Sequence, residues 1–210
     1  MVIKKKVAKI IEVFEILYPE AVCSLDYKTP LQLLLATQLS AQCTDERVNI
    51  VTKSLFQKYK NTEDFAQSNL EELEQDVKST GFYHNKAKNI KATCMLLLKD
   101  FAGNVPGNME DLLKLPGVGR KTANVVLGSI FNIPGIVVDT HAGRLSRRIG
   151  LSKEEDPGKV ERDLMKIIPK KSWSKFCHQL VYHGRRTCMA RKPLCAVCEI
   201  RDFCDYAKDK

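Results

Sequence analysis

The sequence predicts an all-α protein, and three observations carry that reading. Apolar residues recur at helical spacing along most of the chain. The one β-like run, Ile136, Val137 and Val138, is too short to found a sheet. Gly and Pro punctuate the periodic stretches at short intervals. The elements follow in order. Val7, Ile10, Ile11, Phe14, Leu17 and Tyr18 mark an amphipathic helix that stops near Pro19. Thr44 caps a stretch with Val48, Val51 and Leu55, and Leu70, Leu73 and Val77 precede a stop at Gly81. Ala87, Ile90, Cys94, Leu97, Leu98 and Phe101 form one long stripe that ends near Gly103. Leu112, Leu113 and Leu115 run into Pro116, then Ala123, Val125, Val126 and Ile130 follow. Phe176, Leu180 and Val181 end at Gly184. Pro134-Gly135 is the best linker, separating a central helical block from a basic, cysteine-rich C-terminal part.

Composition bounds the function. With 210 residues, 44% hydrophobic and 28% charged, the chain can bury a core and is neither disordered nor membrane-like. No apolar run approaches the ~20 residues that span a bilayer. The basic N-terminus lacks the unbroken apolar stretch of a signal peptide, so a cytoplasmic location is expected. A net charge of +9 favours a polyanionic partner, because Lys and Arg neutralise phosphates and release counterions.

Of eight cysteines, Cys23, Cys43, Cys94 and Cys177 are scattered and read as small buried hydrophobes. Cys188, Cys195, Cys198 and Cys204 instead read C-x6-C-x2-C-x5-C. Four thiolates in one short loop suit either tetrahedral zinc or an iron–sulfur cluster. A single close pair tilts the reading mildly to iron–sulfur, since zinc sites favour two paired knuckles. Arg191 and Lys192 lie inside that loop, where a metal tether would hold them outward as a phosphate clamp.

Leu115-Pro116-Gly117-Val118-Gly119-Arg120-Lys121 joins two helical stretches. Gly117 and Gly119 permit a tight turn and close backbone approach, and the next helix opens with outward N–H groups, an arrangement suited to one phosphate. Arg120 and Lys121 oppose the helix dipole there, and a locally unfavourable choice of this kind marks a functional position. The same positive field favours the neutral, nucleophilic amine of Lys121. Asp139 follows the apolar run as either a helix cap, a catalytic carboxylate or both. His141 reads as a structural hydrogen-bonding histidine. Arg144, Arg147 and Arg148 form a basic helical face, either DNA-facing or solvated.

LPGVGRKTANVV, VDTH and the C-x6-C-x2-C-x5-C tail together resemble the endonuclease III family of the helix–hairpin–helix base-excision repair superfamily. The resemblance runs over nearly the whole chain. It includes Leu39-Ser40-Ala41-Gln42, Gly81-Phe82-Tyr83 with Lys86-Ala87, and His183-Gly184-Arg185. It implies two helical domains: a six-helix domain over 23–132 with the helix–hairpin–helix motif, and an iron–sulfur cluster domain built from 1–22 and 133–210. It implies Lys121 as Schiff-base nucleophile, Asp139 as catalytic aspartate and the four cysteines as [4Fe–4S] ligands. Gln42 matches a residue that fills the gap left by a flipped base. Phe82 stands where relatives often carry leucine in a wedge loop. Gly117, Gly119, Arg120, Arg144, Arg191 and Lys192 are the further expected DNA contacts. The implied activity is removal of oxidised pyrimidines from duplex DNA, followed by β-elimination at the abasic site. The expected partner is double-stranded DNA carrying damaged pyrimidines or abasic sites. A monomer, nucleoid-associated if bacterial, with no membrane partner is also expected.

Three rival readings fit less well. A monofunctional adenine glycosylase of the same superfamily generally lacks a lysine at the position of Lys121. A non-catalytic DNA-binding module leaves Lys121 and Asp139 unexplained. A redox carrier leaves the hairpin unexplained.

Overall fold

A computed structural model of the chain describes residues 2–208; Met1, Asp209 and Lys210, the outermost residues of the expected cluster domain, lie outside the described residues. The described residues form helices and loops without a strand, and residues 136–138 belong to no helix or strand. In chain order the α-helices are α1 (Ile3–Leu17), α2 (Pro30–Leu39), α3 (Asp45–Lys58), α4 (Thr62–Gln67), α5 (Leu70–Val77), α6 (Tyr83–Phe101), α7 (Met109–Lys114), α8 (Arg120–Ile130), α9 (Thr140–Ile149), α10 (Pro157–Ile167), α11 (Trp173–Arg186) and α12 (Asp205–Lys208). The chain divides into two compact units, Ser24–Asn132 and Met1–Cys23 with Ile133–Lys210.

The first of these units holds α2 to α8. Thr29 caps α2 by accepting from Gln32 N, with Pro30 at the first helical position, where its missing N–H costs nothing. Leu33 through Leu39 are all buried, so α2 is wrapped on every side. α6 packs against α2, α4 and α5, and α8 packs against α2 and α7. Leu34, Phe65, Leu73, Ile90, Leu97 and Val126 fill the core between them. The resemblance implied six helices here and seven are present. The stretch after α3 divides at Ser68-Asn69, where Asn69 accepts from Glu72 N and starts a new helix.

The second unit gathers α1 with α9 to α12. Val7, Ile10 and Phe14 of α1 join Leu145, Ile149, Leu164, Phe176 and Leu180 in one core. α11 does not end at Gly184 as its glycine suggested; it continues to Arg186. Gly184 is there for packing: a Cβ would lie 2.7 Å from His141 Nδ1 and 3.1 Å from Arg144 Nη2. α9 and α11 therefore approach closely at that point.

Candidate functional site

The hairpin lies within the Ser24–Asn132 unit. α7 ends at Lys114, and Val118 N donates back to Leu115 O at 3.1 Å to close the turn. Buried Gln38 and Thr93 hold the turn from below, donating to Pro116 O from Nε2 and Oγ1, each at 2.9 Å. Gly117 has φ +74°, and a Cβ there would lie 2.7 Å from Asn89 Nδ2, so both conformation and space require glycine. Gly119 is different. Its φ of −99° suits any residue, and a Cβ would meet no protein atom within 4 Å. Glycine at 119 is required neither by the fold nor by packing.

Gly119 is the residue before α8 and brings no side-chain cap, and no acid stands in the helix's first turn. The field of the helix N-terminus is thus left available to an outside anion. Arg120 and Lys121 occupy that first turn and are exposed, while Ala123, Val126 and Leu127 anchor the helix in the core.

Two further expected contacts sit in the same unit on strained backbone. Gln42 has φ +53° and is exposed; Phe82 has φ +49°, directly precedes α6 and is 65% exposed. Left-handed non-glycine residues cost energy and cluster at functional positions. Gln42, Phe82, Lys86, Asn89 and Gly117 line one cavity.

In the other unit, Asp139 caps α9. Its Oδ1 accepts from Ala142 N at 2.7 Å, and the side chain is half-buried. His141 stands close by in the first turn, its pKa held below the usual histidine value chiefly by burial, with Asp139 opposing. The neutral ring accepts from Arg144 Nη2 at 3.1 Å. Arg144 Nη2 also donates to Gly184 O at 3.1 Å and Cys188 O at 3.0 Å. That commitment gives Arg144 an anchoring role beneath the cysteine loop, where sequence reading pointed it at DNA.

Arg148 does more of the same, and sequence reading left it open between DNA and solvent. Its Nη1 donates to Met189 O at 2.8 Å and to Cys188 Sγ at 3.3 Å, and its Nη2 to Ala190 O at 2.9 Å. Its guanidinium also stands over the Tyr206 ring at 4.8 Å. α9 thus holds the loop by charge-assisted bonds. Arg191 and Lys192 are exposed at its crest, with Lys192 at φ +53°.

Cys188, Cys195, Cys198 and Cys204 line one small apolar cavity with Ile149, His183 and Ile200. Among the described residues no three His, Cys, Asp or Glu side chains stand close enough to share a single metal ion. Four thiols spread around one apolar cavity suit a polynuclear cluster better than mononuclear zinc. Burial pushes the Cys198 thiol up to about 11 and raises Cys204 as well, so binding metal must displace those protons. His183, which sequence reading used only as part of a motif, is buried beside them. Its Nδ1 is 2.9 Å from Tyr18 Oη and its Nε2 is 3.5 Å from Cys198 Sγ. Burial lowers its pKa to about 4, so the ring is neutral.

The remaining cysteines divide. Cys94 and Cys177 are buried, as expected, and burial pushes both thiols up to about 12. Cys23 and Cys43 are only half-buried, because they lie in loops flanking helices rather than on core faces.

Residues 35–170 match the HhH-GPD superfamily of base excision DNA repair proteins, and residues 188–204 match the iron-sulfur binding domain of endonuclease III. The chain is similar to Endonuclease III of Synechocystis sp., with 53% identity over 206 residues, covering 98% of this chain and 94% of that protein. It is similar to Endonuclease III of Escherichia coli K12, with 40% identity over 188 residues, covering 90% and 89%. Among solved structures it is similar to a non-covalent Endonuclease III–DNA complex, with 44% identity and a TM-score of 0.94 over 100% of this chain and 98% of that one. A trapped Endonuclease III–DNA covalent intermediate gives the same identity and TM-score over 100% and 99%.

Proposed function

The chain belongs to the endonuclease III family of HhH-GPD base-excision DNA repair proteins, and on that premise we propose that it removes oxidised pyrimidines from duplex DNA and then nicks the strand through Lys121. It is a DNA glycosylase with lyase activity at abasic sites, and its cofactor is a [4Fe–4S] cluster. The cluster's ligands in this reading are Cys188, Cys195, Cys198 and Cys204. It gives the loop a fixed core around which Arg191 and Lys192 are displayed.

The observation that carries the reading is the pairing of an exposed Lys121 with Gly119 at the start of α8. A glycine that the protein itself does not need leaves room for a phosphate to approach the backbone. The lysine follows two residues later, on a helix whose far side is locked into the core. A similar protein, Endonuclease III, has been trapped as a covalent intermediate with DNA, which supports a covalent route.

The damaged nucleotide must leave the stack before its sugar carbon is reachable. Phe82 wedges between bases and Gln42 fills the vacated space. The free amine of Lys121 bonds to C1′ as the glycosidic C–N bond breaks and the base departs with a proton. Asp139 accepts the proton from the lysine or stabilises positive charge developing on the sugar. The sugar ring then opens, the C1′–O4′ bond breaking as O4′ takes a proton and the amine loses one, which leaves an imine; the imine draws electrons as a C2′ proton is lost, the C3′–O bond breaks, and the 3′ phosphate leaves. Arg120 and the first-turn amides of α8 hold one phosphate, and Arg191 and Lys192 hold others. Arg144 contributes from beneath by fixing that loop.

The enzyme acts as a monomer in the cytoplasm, on the nucleoid in a bacterial cell. Among the described residues no helix is long and apolar enough to cross a membrane. Duplexes that differ only in one base test the substrate class. Thymine-glycol duplex should be cleaved, whereas undamaged duplex and duplex with adenine opposite 8-oxoguanine should remain intact. Cleavage of the adenine substrate in preference to thymine glycol would reassign the enzyme to purine repair.

A further inference from the structure

Lys86 is an unusual residue in this protein. It is 6% exposed and lies inside the Ser24–Asn132 unit, where lysines are almost never found unless paired. Among the described residues no carboxylate pairs with it. Its ammonium instead donates to two backbone carbonyls, Leu39 O and Thr80 O, each at 2.8 Å. Burial lowers its pKa, with the Cys43 thiol the charge set against that effect.

The identity of those carbonyls matters. Leu39 is the last residue of α2, three before Gln42. Thr80 is two before Phe82 and directly precedes Gly81 at φ +72°. Both Gln42 and Phe82 are held at positive φ, a conformation that persists only where the surroundings over-determine it. Lys86, Gln42 and Phe82 line the same cavity. Leu39 O also lies at a helix C-terminus, where a cation is stabilised by the helix dipole.

We propose that Lys86 is a positioning residue: it ties the carbonyl that introduces the Gln42 turn to the carbonyl that introduces the Phe82 tip, and so keeps the two DNA-probing side chains in register. This rests on the reading that Gln42 and Phe82 enter the duplex. A buried charge with two carbonyl partners is a poor choice for stability alone, since a well-packed apolar side chain would fill the same space without desolvating a cation. As a strut it has a specific use. It couples two loops that share no secondary structure.

The test uses the cluster-bearing full chain and two duplexes of one sequence, intact or carrying a tetrahydrofuran abasic analogue. The readout is selectivity, the ratio of the two affinities, together with fluorescence of 2-aminopurine placed opposite the analogue. Because Lys86 is buried, loss of its charge affects both affinities alike and cancels in the ratio. Lys86→Met should lower selectivity about tenfold, equivalent to about 1.4 kcal/mol. Its double mutants with Gln42→Ala and Phe82→Ala should lose little beyond the loop variants alone. Lys86→Gln keeps two N–H donors, but its planar amide is one atom shorter than the lysine chain and cannot reach both carbonyls. It should reproduce the loss even if Lys86→Met melts too low to assay. Wild-type selectivity in Lys86→Gln, or full additivity with both loop variants, would overturn the inference and leave Lys86 a structural residue. If instead Gln42→Ala and Phe82→Ala themselves keep wild-type selectivity, the reading beneath it fails first.

Discussion

Asp139 does two jobs in this account, and replacing it two ways separates them. Its Oδ1 caps α9 through Ala142 N at 2.7 Å. The Asp139→Asn side chain presents an equivalent amide oxygen, so the cap survives and only the charge at the helix N-terminus is lost, about 0.3–1 kcal/mol. Asp139→Ala loses the cap as well, for a further ~1 kcal/mol. In a chain of 210 residues each kcal/mol lowers Tm by about 2–4 °C. The two variants should therefore melt a few degrees apart. Catalysis should not follow that ranking. Removing a carboxylate that stabilises charge in the transition state costs about 10²-fold or more, near 2.7 kcal/mol. Both variants should lose base removal on thymine-glycol duplex by that order in single-turnover assays. Both should keep more of their cleavage of preformed abasic sites, where no glycosidic bond is broken. If Asp139→Asn releases thymine glycol at the wild-type rate, the carboxylate has no catalytic role. If base release in the two variants falls only in proportion to their Tm, Asp139 is a cap and nothing more.

Other expectations follow from the loops. Arg191→Ala and Lys192→Ala should each weaken binding to all duplexes similarly and make the salt dependence shallower by about one unit; an unchanged slope would assign these exposed side chains to solvent. Arg148→Ala removes donors to Met189 O, Ala190 O and Cys188 Sγ, and should speed the release of iron to a chelator, measured by loss of visible absorbance; an unchanged release rate would show that the loop does not depend on α9. Gly117→Ala should lower Tm by several degrees, from about 1–2 kcal/mol of left-handed backbone cost plus the close approach to Asn89; a wild-type Tm would mean that the turn relaxes freely.

Much of this was legible in sequence because periodicity and caps are local signals. Thr44 and Asp139 both cap as their spacing suggested, and α6 ends at the Ala102-Gly103 pair as its stripe implied. α2 escaped notice because it is buried all round and so has no polar face to give a 3.6-residue period. α10 carried a start signal that went unread, Asp156 as cap with Pro157 at the first helical position. Partners distant in sequence were beyond local reasoning. Arg144 and Arg148 belong to a basic face that reads as either DNA-facing or solvated until α9 is packed against the loop 40 residues later. Nothing local marks Lys86 as buried, and only the fold brings Leu39 O and Thr80 O around it. Within the hairpin, sequence marked Gly117 and Gly119 alike. The surrounding atoms distinguish the glycine that the fold needs from the one that leaves room for a ligand.

The central claim is that Lys121 bonds to the sugar, and borohydride reduction tests it most directly. Wild-type protein incubated with thymine-glycol duplex or abasic duplex and sodium borohydride should yield a stable protein–DNA adduct on a denaturing gel, with the DNA mapped to Lys121 by peptide mass. Lys121→Gln should give no adduct and no strand cleavage while still binding both duplexes, because the hairpin, the Phe82 tip and the basic loop are untouched. An adduct at another residue, or cleavage of thymine-glycol DNA by Lys121→Gln at the wild-type rate, would contradict the account.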